Sequence, residues 1–392
     1  MELLPPPIRD RALLALLGDI LNDRAGPAAD PGLRLRLMRT GFSWQALVQF
    51  ATQQDLLIPL IRALFERGLL PPVPRAAKYA HDSHVTLRLR QYYCQHLARR
   101  DLQKKQIQNI LARLNRAGIV PLLLKGARYL VAPLAPWCEA RTLRDIDILL
   151  RPGDADRAFS ELVAGGYRPG QPYSRDYHHL ADLQRQGEPA SVEIHTAALA
   201  TAGESVMSTE FVWQNAERSA DGSFFVLPAK WQSLHCLLHH QLSDRGYARR
   251  VLALKPLWEW TMLSRDSYRE DWQHIESHIR QTGASDALGS WVIQADRLFG
   301  ATFDQLCPPS VPAVENAAET LALALAPHWR RRSRFVVDQL RCAFARDTLA
   351  ARYGKPADQI SVADAARYLR HLLRQHRGRL LRRLAGRSDS LS

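Results

Sequence analysis

An Asp-x-Asp triplet inside an apolar run is the feature that most constrains this chain. Residues 145–150 read Asp-Ile-Asp-Ile-Leu-Leu. Side chains alternate between the two faces of a β-strand, so Asp145 and Asp147 share one face and the isoleucines can enter a core from the other. Two adjacent carboxylates repel each other, and burial increases that cost. The triplet therefore predicts a positive group between them, and its oxygen ligands favour Mg²⁺ or Mn²⁺ over zinc.

The surroundings of the triplet favour a metal site over the ordinary alternative, a solvated strand end or turn. Arg141 and Arg144 come just before it, and a Lys-Gly-Ala turn, Lys125 to Ala127, ends another apolar run upstream. In this turn, Gly126 is expected to permit a tight bend into a short helix. Backbone N–H groups at such a bend suit phosphate, and a lysine adds a full positive charge.

A later segment supplies a third carboxylate. Residues 191–196, Ser-Val-Glu-Ile-His-Thr, read as a strand in which Glu193 and His195 share one face. Glu193 is the candidate for the third metal ligand. A different class, a zinc hydrolase, would use histidine ligands. Its candidate ligands are His178, His179, Glu193, His195, His235 and His239. Their spacing matches no zinc site that we can name, and His235 and His239 are expected only to pack on C-terminal helices.

Apolar periodicity predicts an α+β protein with an α/β core and helical flanks. We expect a helical N-terminal region at 1–100, a core at 101–204 and a larger helical region at 205–392. Helices are predicted at 10–23, 43–68, 84–117, 156–163, 231–242, 252–264, 268–282, 289–299, 314–326, 334–346 and 361–384. Strands are predicted at 119–124, 145–150, 177–183 and 191–196. Pro59 is expected to kink or divide its helix, and Pro121 to mark an edge strand or a strand start.

Composition narrows the class of protein. With 392 residues, the chain is long enough for two or three packed units. The five cysteines form no Cys-x-x-Cys pair, which argues for a reducing compartment and against a disulfide framework. The N-terminal residues lack the pattern of a secretory signal, and no run approaches the length of a membrane span. We therefore expect a cytoplasmic protein with no membrane partner.

The formal charge of +14 is unevenly distributed. Residues 328–392 carry 16 Lys and Arg against 5 Asp and Glu, a net of +11, whereas residues 118–200 carry 9 against 10. Basic helices of this kind suit an anionic partner such as RNA or a nucleotide. The alternative, solvated arginines with no specific partner, is slightly favoured.

Taken in order, Leu-Lys-Gly-Ala, Arg-x-x-Arg-Asp-Ile-Asp-Ile-Leu-Leu and Val-Glu-Ile-His resemble the nucleotidyltransferase superfamily that includes DNA polymerase beta. More narrowly, they look like bacterial nucleotidyltransferase family proteins that carry a Lys-Gly-Ala turn. The motifs lie between Leu124 and His195. The resemblance implies a small mixed β-sheet nucleotidyltransferase core at 101–204.

The resemblance also implies residue roles. Asp145, Asp147 and Glu193 would be the catalytic, metal-binding carboxylates. The nucleotide would bind at a separate set of residues: Lys125, Gly126, Ala127, Arg141, Arg144 and His195. The cofactor would be Mg²⁺ (or Mn²⁺), and the co-substrate a nucleoside triphosphate, with ATP the first expectation. An acceptor hydroxyl would attack the α-phosphate and release pyrophosphate.

The sequence does not identify the acceptor molecule. A small biosynthetic molecule, a peptide or protein side chain and a tRNA end all remain candidates, because a fold hosts many substrates. A second interpretation keeps the fold without the activity, as a catalytically inactive scaffold that binds nucleotide or RNA. The retention of all three carboxylates argues mildly against it.

Overall fold

The computed structural model describes residues 8, 10–22, 30–70, 80–170, 180–265, 269–300 and 308–370. The chain divides into two compact units, Met1–His328 and Trp329–Ser392. The predicted boundaries near residues 100 and 204 both fall inside the first unit and stay predictions. No helix in the described ranges combines the length and apolar character needed to cross a bilayer.

The described helices before the sheet and within it are α1 (Arg11–Leu21), α2 (Asp30–Leu37), α3 (Trp44–Gln53), α4 (Leu57–Glu66), α5 (Ala80–Arg116), α6 (Lys125–Val131), α7 (Ala155–Ala164), α8 (Thr201–Glu204) and α9 (Thr209–Gln214). Those that follow are α10 (Ala229–Leu238), α11 (Gly246–Arg249), α12 (Leu254–Arg265), α13 (Arg269–Thr282), α14 (Ser285–Phe299), α15 (Val311–Ala324), α16 (His328–Ala343) and α17 (Arg346–Tyr353). Short 3₁₀ turns occur at Pro136–Ala140 and Ala357–Gln359, and a π-helical turn at His239–Ser243.

The strands are β1 (Leu122–Leu123), β2 (Asp145–Leu149), β3 (Arg168–Pro169), β4 (Leu183–Gln184), β5 (Ser191–His195), β6 (Glu217–Arg218) and β7 (Phe225–Val226). They form a seven-stranded mixed sheet in the order β3-β4-β5-β2-β1-β7-β6. The longest strands, β2 and β5, are neighbours and run parallel, whereas β1 pairs antiparallel with β2. A mixed sheet flanked by helices confirms the predicted α+β class.

Two apolar clusters hold the first unit together. One lies against the sheet, where Ile146, Ile148 and Ile194 have no exposed surface and pack with α5. The other joins the N-terminal helices to α10 through α14 around buried tryptophans. Helix α1 packs closely on α14, since a Cβ on Gly18 would lie only 2.2 Å from the carbonyl oxygen of Leu298. Burial of these residues removes most of the apolar side-chain surface from water, which is the main stabilising term.

The helix predicted at 43–68 is two helices, and the break is not at Pro59. The chain bends at Asp55, whose φ of 56° is left-handed, between α3 and α4. Pro59 lies in the first turn of α4, where its missing N–H has no helical partner to lose. Gly118, with φ of 74°, follows α5 as predicted.

The strand predictions were partly right. Strand β5 and the Asp-x-Asp strand form where expected, and Pro121 precedes a strand, though β1 is two residues long and lies inside the sheet rather than at its edge. Short strands β3, β6 and β7 were missed because two residues carry no readable alternation. Residues 177–179 of the strand predicted at 177–183 lie outside the described residues, and of residues 180–183 only Leu183, in β4, is in a strand.

The second unit contains most of α16, α17 and a further helical stretch at 362–370. Inside it, Lys355 Nζ donates to both carboxylate oxygens of Asp364 at 2.9 and 3.0 Å. Trp329, Val336 and Val337 of α16 are exposed. The end of the predicted helix 361–384 lies outside the described residues.

Candidate active site

Strand register brings the predicted carboxylates together. In the parallel pair β2–β5, Asp147 lies directly beside Glu193, and Asp145 beside Ser191. The alternating isoleucines point into the core on the opposite face, as the strand pattern predicted. Two acidic strands paired in this register therefore concentrate three carboxylates on one side of the sheet.

Asp147 is the centre of the charge network. It is buried, and its Oδ1 accepts hydrogen bonds from Lys125 Nζ at 2.9 Å and from His195 Nε2 at 3.0 Å. Burial alone would raise the pKa of the carboxyl, but Lys125 and His195 together hold it well below its usual range. Asp147 is therefore ionised in the folded protein. The positive group that the sequence predicted beside the carboxylates is the Lys125 ammonium, and the His195 N–H is a second donor to Asp147.

Asp145 and Glu193 have different environments. Asp145 Oδ1 accepts a hydrogen bond from Ser191 Oγ at 2.5 Å, while burial and the nearby acids raise its pKa. Burial would also raise the pKa of Glu193, but the interaction with His195 lowers it on balance. His195 Nε2 lies 3.7 Å from Glu193 Oε2. Ligand atoms of Asp147, Glu193 and His195 all lie within 4.8 Å of one another. Asp145 extends this group along β2 toward the solvent.

The arrangement of hydrogen bonds fits a hard divalent cation. Donors from the described residues reach only Oδ1 of Asp145 and of Asp147, so the second oxygen of each aspartate is left for another partner. His195 donates its Nε2–H to Asp147 and so orients this carboxylate, an arrangement that also occurs around metal ions. Oxygen-rich sets of this kind suit Mg²⁺ or Mn²⁺.

The Lys-Gly-Ala turn differs from the predicted geometry. The left-handed residue is Lys125, with φ of 45°, and helix α6 begins there. Gly126 is required for space instead, because a Cβ at this position would lie 2.0 Å from Nη1 of Arg141 and 2.5 Å from Leu143 Cδ1. Gly126 and Ala127 are both buried. The turn therefore directs Lys125 to Asp147 and lets Arg141 pack against it.

The two predicted arginines have acidic partners. Arg141 Nε donates to Glu259 Oε2 of α12 at 2.9 Å, and its guanidinium lies over the ring of Tyr129. Arg144 Nη2 donates to both carboxylate oxygens of Asp55 at 2.5 and 2.6 Å. Sequence alone did not identify either partner, because both are distant in the chain.

A cleft of about 490 Å³ collects these groups. Its lining includes six of the predicted site residues: Lys125, Arg141, Arg144, Asp145, Asp147 and Glu193. Buried Gly126, Ala127 and His195 are not part of its lining. The remaining wall comes from the α3–α4 junction, the π-helical turn after α10 and the start of α12.

Several residues of that wall were missed or misread. His239 was expected only to pack, yet it lines the cleft from the first position of the π-helical turn, and its Nδ1 lies 3.3 Å from Asp244 Oδ2. His235 does pack, fully buried against the carbonyl oxygen of Ala198. Gln54 and Lys255 also line the cleft. No motif marked these positions; only the fold brings them to the carboxylates.

Among the described residues, no separate cluster of histidine ligands supports a zinc site. His178 and His179 lie outside the described residues. Among the described residues, the group with metal-ligand spacing consists of Asp147, Glu193 and His195.

A family model described as an uncharacterised nucleotidyltransferase matches residues 40–300, which include every described residue of the cleft. The match covers more than half of the chain. The chain belongs to this nucleotidyltransferase family. No curated protein and no solved structure matches it. Membership supports transferase chemistry with a nucleoside triphosphate as substrate.

Proposed function

We propose that the protein is a metal-dependent nucleotidyltransferase that moves a nucleoside monophosphate from a triphosphate, ATP in the first instance, to an acceptor hydroxyl. The observation that carries the proposal is the β2–β5 register, which sets Asp147 beside Glu193 with Asp145 one pleat away, all facing a cleft of about 490 Å³. A cleft of this size accommodates a nucleotide-sized ligand.

Asp145, Asp147 and Glu193 would hold the cation through oxygens that the fold leaves without donors. When bound, Mg²⁺ or Mn²⁺ lowers the pKa of the attacking hydroxyl and balances charge on the phosphates. His195 keeps Asp147 oriented, and the low pKa of Asp147 keeps it ionised over the physiological range. The site is therefore preorganised rather than assembled by the ligand.

Lys125, Arg141 and Arg144 are the proposed contacts for phosphate, with Gly126 and Ala127 shaping the turn that presents Lys125. In the reaction, the acceptor oxygen forms a bond to the α-phosphorus, the bond from that phosphorus to the bridging oxygen breaks, and pyrophosphate leaves with the electron pair. The hydroxyl proton is lost to a base in the cleft or to solvent. Positioning and charge supply most of the catalysis in such transfers.

The acceptor is a small molecule, a peptide or protein, or a tRNA end, and the cleft does not select among them. The net charge of +11 over residues 328–392 supports an anionic partner at the C-terminal end. The second candidate, an inactive scaffold that binds nucleotide or RNA, is supported by the Lys125–Asp147 ion pair, since an internal ammonium can neutralise a carboxylate without metal.

Thermal stabilisation by each of the four NTPs, with Mg²⁺ and with EDTA, tests the proposal. Bound ligand at a hundredfold excess over Kd stabilises the fold by about 2.7 kcal/mol. We expect one NTP to stabilise the wild-type protein more strongly with Mg²⁺ than with EDTA, and the Asp145→Asn/Asp147→Asn variant to lose this metal-dependent gain.

The matched control is Asp101→Asn, an exposed aspartate on α5 outside the cleft. It should respond as the wild type does. A folded wild-type protein that no NTP stabilises, or stabilisation that is equal in EDTA, would reject metal-dependent nucleotidyl transfer at this cleft and leave the scaffold.

A further inference from the structure

Part of the cleft wall is built by cations and donors that the proposed metal site does not use. Lys255, the second residue of α12, lines the cleft together with Gln54, from the α3–α4 junction. Gln54 precedes the sheet in the chain and Lys255 follows it, so neither lies within the motifs that define the carboxylate site.

The ammonium of Lys255 differs from the neighbouring cations in its surroundings. In the ranges that the structure describes, its ammonium forms no hydrogen bond and no ion pair, whereas its neighbours Arg141 and Arg144 are paired with Glu259 and Asp55. Burial and the charge of Arg141 lower the pKa of Lys255 to about 8. Asp55 and Glu259 also attract Lys255, but each of these carboxylates is hydrogen-bonded to an arginine, so in the described ranges the Lys255 ammonium has no bonded carboxylate. An unpaired ammonium that is largely withdrawn from water is costly, so an arriving anion would relieve the cost.

Gln54 supplies a second observation of the same kind. The residue is only 7% exposed, and its Nε2 finds no hydrogen-bond acceptor among the described residues. A buried N–H donor without an acceptor costs free energy comparable to a lost hydrogen bond. Since Gln54 lines the cleft beside Asp55, a ligand in the cleft is the natural source of an acceptor. Two unsatisfied donors in one cleft indicate a ligand rich in oxygen acceptors.

We propose that Lys255, assisted by Gln54, forms an anion subsite that receives the terminal phosphates of the nucleoside triphosphate. This subsite rests on the proposed function for its ligand, but not on the metal. Lys125 is less suited to the role, since it already donates to Asp147. The carboxylates and Lys255 line the same cleft, so a triphosphate bound beside the carboxylates would have its remaining phosphates within the cleft that Lys255 lines. Charge-assisted contacts to phosphate oxygens are the strong kind of hydrogen bond.

Inorganic triphosphate is the direct probe, because it carries the phosphate chain without base, ribose or need for metal. Its affinity is measured by calorimetry in EDTA for wild type, Lys255→Met, Lys255→Arg and Lys104→Met, an exposed lysine of α5 as the matched control. We expect Lys255→Met to weaken binding by about tenfold or more, as for loss of a hydrogen bond to a charged group, and the other two variants to bind within about threefold of wild type. Gln54→Leu should weaken binding to a smaller extent.

Wild-type protein that does not bind inorganic triphosphate, or Lys255→Met that binds it as tightly as wild type, would overturn the subsite. Thermal melting confirms that Lys255→Met is folded, and removal of an unpaired charge should not impair folding. A competition experiment with the NTP and Mg²⁺ separates the nucleotide's own phosphates from a phosphate on the acceptor. Displacement of inorganic triphosphate by the NTP supports the assignment, and simultaneous binding contradicts it.

The two proposals fail separately. Asp145→Asn/Asp147→Asn should retain inorganic triphosphate binding in EDTA, because its substitutions lie at the metal end. Loss of metal-dependent NTP binding alone would remove the proposed function and keep an anion site at Lys255. Loss of Lys255 dependence alone would remove the subsite and keep the carboxylate centre.

Discussion

Two lysines line the same cleft in opposite electrostatic situations. Lys125 is bonded to Asp147 at 2.9 Å, and although burial opposes its charge, Asp147 raises its pKa above the ordinary value. Lys255 is also largely withdrawn from water but has no bonded carboxylate among the described residues, and its pKa falls to about 8. The two lysines differ in their partners. Asp147 stabilises the charged form of Lys125, whereas burial without a bonded carboxylate disfavours the charged form of Lys255.

This comparison separates two uses of buried charge. The Lys125–Asp147–His195 group is satisfied within the fold, so it keeps Asp147 ionised and oriented before any ligand arrives. Among the described residues no carboxylate is bonded to Lys255, so an arriving anion would be its first bonded partner. A residue that costs stability in the free protein is more informative about a ligand than one that the fold already pairs.

The largest expected effect follows from Lys125→Met. The substitution leaves Asp147 buried with only His195 as a donor, so the fold should lose about 2–4 kcal/mol of unfolding free energy, less than for a pair with no third member. Chemical denaturation at pH 7 measures the loss. Exposed Lys104→Met is the control and should change stability by less than about 0.5 kcal/mol.

The pH dependence of this loss is a further part of the same prediction. Because the folded pKa of Asp147 is depressed, its contribution is complete above the unfolded value of about 3.9 and disappears as pH falls through and below it. The gap between wild type and Lys125→Met should therefore narrow below about pH 4. A gap that stays constant down to pH 2 would show that Lys125 contributes through packing rather than through the ion pair.

The opposite sign is expected for Lys255→Met. Removing an unpaired, partly buried ammonium should raise the unfolding free energy at pH 7 by an amount on the order of 1–2 kcal/mol. The sign follows from the pKa of about 8: above this pH the folded protein releases the proton while the unfolded chain keeps it, so wild-type stability rises until about pH 10.5. The advantage of the variant should shrink over that window. If Lys255→Met were less stable than wild type at pH 7, the charge of Lys255 would not be a cost to the free protein.

The smallest effect is expected for Arg144→Met. The Arg144 side chain is 70% exposed and that of Asp55 is 38% exposed, so their ion pair is screened by water and should contribute less than about 1 kcal/mol. Thermal melting at low and high salt measures it. A larger loss would mean that the α3–α4 junction depends on this contact and that Gln54 is positioned by it.

Much of the fold was readable because local pattern and final environment agree. The alternating Ile and Asp of β2 and the Val-Glu-Ile-His of β5 predict one buried and one acidic face, and the structure has both. The division of the helix at Asp55 was misplaced because a left-handed aspartate carries no signal as strong as a proline. The two-residue strands were missed because they are stabilised by neighbours in the sheet rather than by their own periodicity.

The residues of the candidate site were also predictable only where a local sequence pattern marks them. Asp145, Asp147 and Glu193 were identifiable because each lies in a strand whose faces the sequence displays. Their neighbours from helices were not, since the Arg141–Glu259 pair joins residues 118 positions apart. The role of Gly126 also emerged only from packing against Arg141, which no spacing in the sequence shows. Residues that become partners only through tertiary contacts could not be predicted from the sequence.

Binding of Mn²⁺ to the protein without NTP is the decisive measurement, since the free ion has a strong paramagnetic resonance signal that is lost on binding and an NTP would itself bind the ion. We expect wild-type protein to remove the signal and Glu193→Gln, which keeps the shape of the side chain but removes its charge, to weaken this binding by about tenfold or more. Asp101→Asn should behave as wild type. Equal Mn²⁺ binding by wild type and Glu193→Gln would contradict the claim that the paired β2 and β5 carboxylates form the metal centre.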